Sequence, residues 1–313
     1  MCAVFGLIDY GHILTARAKE KILKVLSKEC EIRGTDATGF AYNHNDCINI
    51  YKRPLPAHKM KLHLPDNANV IMGHTRMTTQ GNQKHNYNNH PFWGDLGDSS
   101  FALAHNGIIR NDAKLRAERA LPMTTIETDS YIAVQLIESA GKLDFDSLKS
   151  TAEDLVGSFV LTLLDNKDNM YFVVGDNPLT IYDFPQYGFY LYASTKSILG
   201  DTLKIIGLSK AEKTEVRASM GDLIKISPTG EIERSEFQCF EDFGYMRGAY
   251  WSDWYYGNMD LDELKEYADI MGIDPLYIET LYNNGYPLEC IEELLEYPDE
   301  LLMEAELMME GCY

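Results

Sequence analysis

"MCAVFGLI", residues 1–8, places a cysteine directly before an apolar run that is typical of a buried β-strand. If Met1 is removed during maturation, Cys2 carries both a thiol and a free α-amine. Those two groups can serve as a nucleophile and its base within a single residue. The alternative is that Cys2 is only a small apolar residue of a terminal strand, and these eight residues alone favour that alternative.

The composition limits the class of protein. The chain has 313 residues, of which 45% are hydrophobic, and this is enough for one large or two smaller domains with real cores. No apolar stretch is long enough to span a bilayer, and the N-terminus does not resemble a signal peptide. Six scattered cysteines without a CxxC pair predict reduced thiols in a cytoplasmic protein. Neither a metal nor a cofactor is expected, and no membrane partner.

The acidic charge is concentrated near the C-terminal end of the sequence. Residues 236–313 hold 20 Asp and Glu against Arg247 and Lys265, a net charge of -18 out of -20 for the whole chain. This asymmetry predicts a domain boundary near Ser235, with a body over 2–235 and an acidic, aromatic-rich helical region over 236–313. It argues against direct binding of nucleic acid, whose phosphates require Lys and Arg.

The body combines many short strands with two helices. Strands are predicted for AVFGLI, GFAYN, CINIYK, NVIMGHT and SFALAHN, and again for SFVLTLLD, MYFVVGD, LTIYDF and GFYLYAS. Between the two groups, residues 128–141 and 144–157 have helical patterns, the second ending at Gly157. A closing hairpin is predicted around Pro228-Thr229-Gly230. This order indicates an α+β fold in which antiparallel sheets pack together and are covered by helices.

Polar clusters stand where the predicted strands end, and their order is informative. Each cluster alone has an ordinary explanation, such as a turn at HNG or a helix cap at Asp129. Together they resemble the glutaminase domain of class II glutamine amidotransferases, the N-terminal-nucleophile hydrolases represented by glucosamine-6-phosphate synthase and amidophosphoribosyltransferase. The resemblance covers roughly residues 2–235. It rests on MC..FG at 1–6, RGTDATG at 33–39, GHTR....G at 73–81, NNHPF at 88–92, HNGII at 105–109 and TDS at 128–130.

The resemblance implies a four-layer αββα sandwich and assigns a role to several residues. Cys2 would attack the carboxamide of glutamine, with its own α-amine as base. Asn106 and Gly107 would hold the oxyanion of the tetrahedral intermediate. Arg76 would bind the α-carboxylate of the substrate, and Asp129 would bind its α-ammonium.

Four further residues match motif positions. His74 and Thr75, beside Arg76, are predicted to take part in substrate binding. Arg33 and His90 are predicted to support the loops or the surroundings of Cys2, although a purely structural role is about as plausible for both.

The consumer of the ammonia is not visible in the sequence. The 78 residues of 236–313 are too few for the acceptor domains of the family and contain no Gly-rich phosphate loop. They predict short helices beginning near Asp260, Asp274-Pro275, Tyr286-Pro287 and Tyr297-Pro298. The aromatic cluster YWSDWYYG at 250–257 is either a plug packed on the body or part of a partner site.

Three functions remain compatible with the sequence. The first is a glutaminase that supplies ammonia to a separate acceptor or synthetase subunit, docked partly through residues 236–313. The second is a freestanding amidohydrolase that acts on a γ-glutamyl-type amide. The third is a non-catalytic interaction protein that works through its acidic region, which the intact set of motif residues disfavours.

Overall fold

The computed structural model describes residues 2–45, 47–239, 261–270, 273–295 and 298–309. The chain divides into two compact units, Met1–Phe240 and Glu241–Tyr313. The first unit extends beyond residue 235, because its last strand ends at Glu236 and Phe237 is buried in its core.

The strands of the first unit form two antiparallel sheets. One sheet has seven strands in the order β11-β9-β10-β1-β4-β2-β3, and the other has six in the order β13-β12-β8-β7-β6-β5. The strands are β1 (Ala3–Ile8), β2 (Ala37–His44), β3 (Cys47–Arg53), β4 (Val70–Arg76), β5 (Phe92–Asp95), β6 (Ser100–Ile109), β7 (Gly157–Asp165), β8 (Met170–Val174), β9 (Thr180–Phe184), β10 (Phe189–Ala193), β11 (Thr214–Val216), β12 (Asp222–Ile226) and β13 (Ile232–Glu236).

Helices cover the outer face of each sheet, which gives the four αββα layers expected from the sequence. The helices of the first unit are α1 (Ala16–Glu29), α2 (Asp112–Glu118), α3 (Tyr131–Ala140), α4 (Phe145–Asp154) and α5 (Lys196–Ile206). Strand β1 explains the layering, since its side chains alternate between two faces. Phe5 and Leu7 pack with α1 and α5, whereas Val4 and Ile8 lie in the core between the sheets.

The sequence prediction contained only α3 and α4 in the body, so the structure adds the helices α1, α2 and α5. Helix α1 begins after Thr15, whose hydroxyl accepts a hydrogen bond from the Ala18 N–H at 3.2 Å. Its buried stripe of Ile22, Leu23 and Leu26 is narrow in an otherwise charged segment. This stripe nevertheless completes the outer layer over the seven-stranded sheet.

The boundaries of α4 correct one prediction. The helix begins at a capping box formed by Asp144 and Ser147, and it ends at Asp154 rather than at Gly157. Leu155 is already extended, and Gly157, with φ +139°, starts strand β7. The predicted hairpin is confirmed, because β12 and β13 pair with Ile226 opposite Ile232.

The second unit contains the helices α6 (Leu261–Ile270), α7 (Pro275–Asn283), α8 (Leu288–Leu295) and α9 (Pro298–Met309). The helix start at Asp274-Pro275 is confirmed, since the Asp274 carboxylate accepts from the Leu276 N–H at 2.9 Å. All four helices contribute to one apolar core. The proposed start at Asp260 and the cluster at 250–257 lie outside the described residues. None of the helices described in either unit is long and apolar enough to cross a membrane.

Candidate active site

The site lies at the end of the seven-stranded sheet where β1 begins and β4 ends. Ala3 pairs with Thr75 across these strands, so Cys2 and Arg76 lie at the same sheet end. Ala37, the first residue of β2, pairs with Arg76 from the other side. The antiparallel register therefore brings together three motifs that are far apart in the sequence.

Cys2 is partly buried, and both its main-chain carbonyl and its thiol form hydrogen bonds. The Nε of Arg33 donates a hydrogen bond to the Cys2 carbonyl at 2.8 Å, and the thiol donates to the Met77 carbonyl at 3.4 Å. Burial raises the pKa of the Cys2 thiol, while the nearby Arg76 charge lowers it and the Asp129 charge raises it. Because burial dominates, the thiol is protonated in the resting site and needs a base before it can attack.

The RGTDATG motif, whose Arg33 binds the Cys2 carbonyl, also holds the end of strand β4. The Asp36 N–H donates to the Arg76 carbonyl at 2.9 Å, and the Asp36 carboxylate accepts from the Thr78 N–H at 2.8 Å. Gly34 packs so closely that an added Cβ would lie 2.4 Å from the Arg76 carbonyl carbon. The turn therefore fixes the backbone on both sides of Arg76.

Arg76 is 2% exposed and held by the loop that follows it. Its Nη1 donates to the Asn89 side-chain oxygen at 2.7 Å, and its Nη2 donates to the carbonyls of Gln80 and Gly81 at 2.5 and 3.3 Å. A guanidinium has five N–H donors. Two of them, on Nε and Nη1, have no acceptor among the residues described here and can serve a ligand.

Asp129 lies just before α3, in the layer that covers the other sheet. One carboxylate oxygen accepts from the Ile109 N–H at 2.7 Å, and the other accepts from the N–H and the hydroxyl of Ser130 at 2.8 and 3.1 Å. These bonds fix the orientation of a carboxylate that is 5% exposed. A carboxylate has about four acceptor positions, so one remains for an ammonium group.

Asn106 and Gly107 lie on β6, opposite Val160 and Phe159 of β7. The Asn106 side chain is 0% exposed, and neither its amide nitrogen nor its amide oxygen has a hydrogen-bond partner among the residues that the structure describes. A buried unpaired amide is unfavourable by about 1–3 kcal/mol, and such an amide therefore points to a bound species. Gly107 has φ +136°, and a Cβ there would lie 1.9 Å from the Ser158 carbonyl oxygen. Only glycine fits that position.

His74 joins the two sheets next to these residues. Its Nε2 donates to the His105 carbonyl at 2.9 Å, which fixes the tautomer because a carbonyl can only accept. Burial lowers the pKa of His74 to about 3, so this histidine is neutral at physiological pH. The bond places Asn106, the next residue along β6, near the sheet end that carries Cys2.

His90 packs between aromatic rings. Its ring centroid lies 4.2 Å from that of His74 and 4.4 Å from that of Phe92. Burial lowers the pKa of His90 well below its usual value, and within the described part of the chain neither ring nitrogen has a hydrogen-bond partner. The supporting role of His90 stays a prediction.

The Thr75 hydroxyl lies on the other face of β4. It donates to the Cys30 carbonyl at 3.1 Å, at the end of the segment that carries α1. Alternation along the strand explains this placement, because His74 and Thr75 must point to opposite faces. The Thr75 side chain is thus committed to the helix side, and that of His74 to the contact between the sheets.

Residues that were not singled out in the sequence complete the site. Asn89 and Lys52 hold the loop around Arg76, since the Lys52 ammonium donates to the Asn89 and Pro91 carbonyls at 2.5 and 2.9 Å. Burial, and then the Arg76 charge, lower the pKa of Lys52 to about 8. Asn88 and Glu127 connect this loop to the segment that leads to Asp129. The only sequence signals are that Asn88 begins NNHPF and that Glu127 directly precedes TDS.

Comparison with known proteins identifies similar sequences and a similar fold. Residues 74–200 match the family model described as a glutamine amidotransferase domain. The glutamine–fructose-6-phosphate aminotransferase (isomerizing) of Staphylococcus epidermidis is 33% identical over 190 residues, which cover 58% of this chain and 30% of that protein. The enzyme of the same name from Staphylococcus aureus is 34% identical over 190 residues, with the same coverage. The chain thus spans about three tenths of the length of these relatives.

A solved structure shows the same fold. The glutamine phosphoribosylpyrophosphate amidotransferase of B. subtilis matches with a TM-score of 0.60 and 19% identity, over 76% of this chain and 49% of that one. At this identity the likeness concerns the fold alone. Residues 74–200 thus match a glutamine amidotransferase domain, the chain is similar in sequence to the two aminotransferases over 190 residues, and its fold resembles that of the B. subtilis enzyme.

Proposed function

We propose that the chain hydrolyses the side-chain amide of glutamine through a thioester on Cys2, giving glutamate and ammonia. The observation that supports this most strongly is the buried, unpaired amide of Asn106 beside Gly107. A donor without a partner, next to a glycine in a conformation closed to other residues, suits a developing oxyanion. Cys2, Arg76 and Asp129 supply a nucleophile and two opposite charges at the same end of the fold.

The reaction begins with activation of the thiol. Removal of Met1 frees the α-amine of Cys2, whose ordinary pKa is about 7.7–8.0, close to physiological pH. Since burial keeps the thiol protonated, the amine takes its proton as the sulfur attacks the carboxamide carbon. Arg33 holds the Cys2 carbonyl and thereby limits the motion of both groups.

The tetrahedral intermediate carries its negative charge on the former carboxamide oxygen. The Asn106 amide nitrogen and the Gly107 N–H are the donors proposed for that oxygen. Collapse of the intermediate breaks the C–N bond, and the α-ammonium returns its proton to the departing nitrogen, which leaves as ammonia. Water then attacks the γ-glutamyl thioester with the α-amine as base, which releases glutamate and restores the thiol.

The two charged ends of glutamine select the substrate. The two remaining donors of Arg76 can bind the α-carboxylate, and the remaining acceptor position of Asp129 can bind the α-ammonium. We assign His74 to the placement of Asn106 through the His105 carbonyl, and His90 to packing against His74.

The ammonia is proposed to reach an acceptor on a separate enzyme that docks partly through residues 236–313. The net charge of -18 over this region and the separate core of α6–α9 support a folded, strongly acidic docking module. Charge-dependent docking weakens as salt rises, because the screening length is only about 8 Å at physiological ionic strength. Copurification of the native chain at low and at high salt tests this part. A partner retained equally at both would contradict docking through charge.

Glutamine hydrolysis is tested with the purified full chain. Glutamate and ammonia should appear in equal amounts, and Cys2→Ala should abolish both. Cys47→Ala is a matched control, because Cys47 is an exposed thiol on strand β3. Equal loss of turnover in both variants, or none in Cys2→Ala, would contradict the assignment.

A further inference from the structure

A network of hydrogen bonds fastens the loop after β4 to the segment before Asp129. Asn88 is fully buried, and its side-chain oxygen accepts from the Glu127 N–H at 2.9 Å. Its side-chain nitrogen donates to the Glu127 carboxylate at 2.7 Å and to the Asn82 carbonyl at 3.1 Å. Both atoms of the Asn88 amide are therefore used, and two of the three bonds go to Glu127.

Glu127 also binds the other end of the same loop. Its carboxylate accepts from the Asn82 N–H at 3.1 Å, and its carbonyl accepts from the Gln80 side chain at 2.9 Å. The hydrogen bonds from the Asn82 N–H and the Asn88 side chain lower the pKa of Glu127, so the carboxylate stays ionised. Gln80 is the residue whose carbonyl binds the Arg76 guanidinium. Glu127 is thus linked to Arg76 through Gln80, and it precedes Asp129 by two residues in the sequence.

The arrangement matters because Arg76 and Asp129 belong to different layers of the fold. Arg76 ends a strand of the seven-stranded sheet, whereas Asp129 precedes a helix that packs on the six-stranded sheet. A zwitterionic amino-acid end has its opposite charges at a fixed separation. Both can be bound at once only if the two layers hold Arg76 and Asp129 at a matching separation.

We propose that Asn88 and Glu127 are positioning residues that set the separation of Arg76 and Asp129. They thereby make the site selective for substrates with both an α-carboxylate and an α-ammonium. The inference rests on the proposed function and deepens it. Neither residue touches the substrate; both act through the loop and through the backbone leading to Asp129.

The test compares two competitive inhibitors of glutamine hydrolysis. L-Glutamate has both charged groups, and glutarate lacks the ammonium. The ratio of their inhibition constants measures how well the two ends are bound together, and it does not depend on the fraction of active protein. Loss of the Asn88–Glu127 bonds should reduce the preference for L-glutamate about tenfold, equivalent to about 1.4 kcal/mol.

Two variants and a control separate positioning from folding. Asn88→Ala removes the buried amide, and Glu127→Ala removes an exposed carboxylate whose loss the fold should tolerate. Asn43→Ala is the matched control, since Asn43 is buried and also donates two hydrogen bonds, to the Asp165 carbonyl and the Asp168 carboxylate. Asn43 lies six residues after Ala37 on β2, and Ala37 pairs with Arg76. At about 3.3 Å per residue, Asn43 is therefore about 20 Å from this end of the strand. The ratio of the two inhibition constants in Asn43→Ala should equal the wild-type ratio.

A reciprocal exchange tests the direct contact. Asn88→Asp alone places two carboxylates together and should impair selectivity strongly. Adding Glu127→Gln restores a donor and an acceptor with reversed direction, and should recover part of the lost preference. Additive effects in the double variant would contradict a direct coupling.

The outcomes distinguish this inference from the proposed function. If the wild-type chain neither hydrolyses glutamine nor binds L-glutamate in calorimetry, the proposed function fails, and the inference fails with it. If the wild type does both, but Asn88→Ala and Glu127→Ala keep the wild-type ratio, only the positioning role is overturned.

Discussion

Asn106→Leu should reduce activity and at the same time preserve or raise stability. Leucine has the same branched shape and the same number of side-chain heavy atoms as asparagine, so it can replace a buried amide that has no hydrogen-bond partner in the described structure. Loss of one oxyanion donor raises the barrier by about 2.7–4 kcal/mol, which lowers kcat about 10²–10³-fold. Relief of an unpaired buried amide stabilises the fold by about 1–3 kcal/mol, offset by up to about 1.5 kcal/mol for imperfect fit.

The assay pairs two measurements on the same preparation. Glutamate release gives kcat, and thermal unfolding followed by circular dichroism gives Tm. A gain of 1 kcal/mol corresponds to about 2–4 °C for a domain of this size. The expected result is a much slower enzyme whose Tm is unchanged or higher.

Asn43→Leu is the control for a structural asparagine. Its amide nitrogen binds the Asp165 carbonyl at 2.7 Å and the Asp168 carboxylate at 2.8 Å. Leucine at this position removes both hydrogen bonds and leaves the Asp168 carboxylate without the Asn43 donor, so Tm should fall while kcat remains near the wild-type value. If Asn106→Leu instead behaved like this control, with a lower Tm and an intact kcat, the oxyanion-hole assignment would be refuted.

Three further substitutions test other parts of the site. The three donors of a lysine ammonium are too few for Asn89, the Gln80 and Gly81 carbonyls and a substrate carboxylate, so KM for glutamine should rise about 10–100-fold in Arg76→Lys; an unchanged KM would exclude Arg76 from carboxylate binding. Gly107→Ala should unfold the chain or lower Tm sharply, since its Cβ would meet a carbonyl oxygen at 1.9 Å; a normal Tm would contradict the backbone geometry. His74→Gln keeps a donor for His105 but no longer titrates. The folded pKa of His74 is depressed to about 3, so its contribution to stability is full above about pH 6.5, the unfolded pKa, and is lost as the pH falls toward 3. Between pH 6.5 and 4.5, the free energy of unfolding of the variant should therefore fall less than that of the wild type, by up to about 1.4 kcal/mol per pH unit. Denaturant titrations measure this, and an unaltered pH dependence would contradict a neutral buried His74.

The sheets were predictable from the sequence because their signals are local. The run Ala3–Ile8 is apolar throughout, and the turn at Pro228-Thr229-Gly230 separates two strands of matching length. Helix α1 was missed because its buried stripe is only a few residues wide in a highly charged segment. Its stability comes from packing on β1 and β4, which no local pattern reveals.

The sequence could indicate candidate residues for the site, but it could not indicate the contacts that these residues make. Motif order indicated Cys2, Arg76 and Asp129, yet strand alternation turns the Thr75 hydroxyl to the helix side. The bond between Asn88 and Glu127 joins residues 39 positions apart, and only the folded layers bring them together. Hydrogen-bond partners at that separation follow from tertiary structure rather than from propensity.

Covalent labelling of the nucleophile tests the central claim most directly. The probe is the glutamine analogue in which a diazoketone replaces the carboxamide, and the labelled chain is analysed by intact mass and peptide mapping. The account predicts one adduct per chain, located on Cys2 of a chain that lacks Met1, with complete loss of glutaminase activity and protection by L-glutamine. Inactivation with the adduct on any of the other cysteines, or full activity in a chain that keeps Met1, would contradict it.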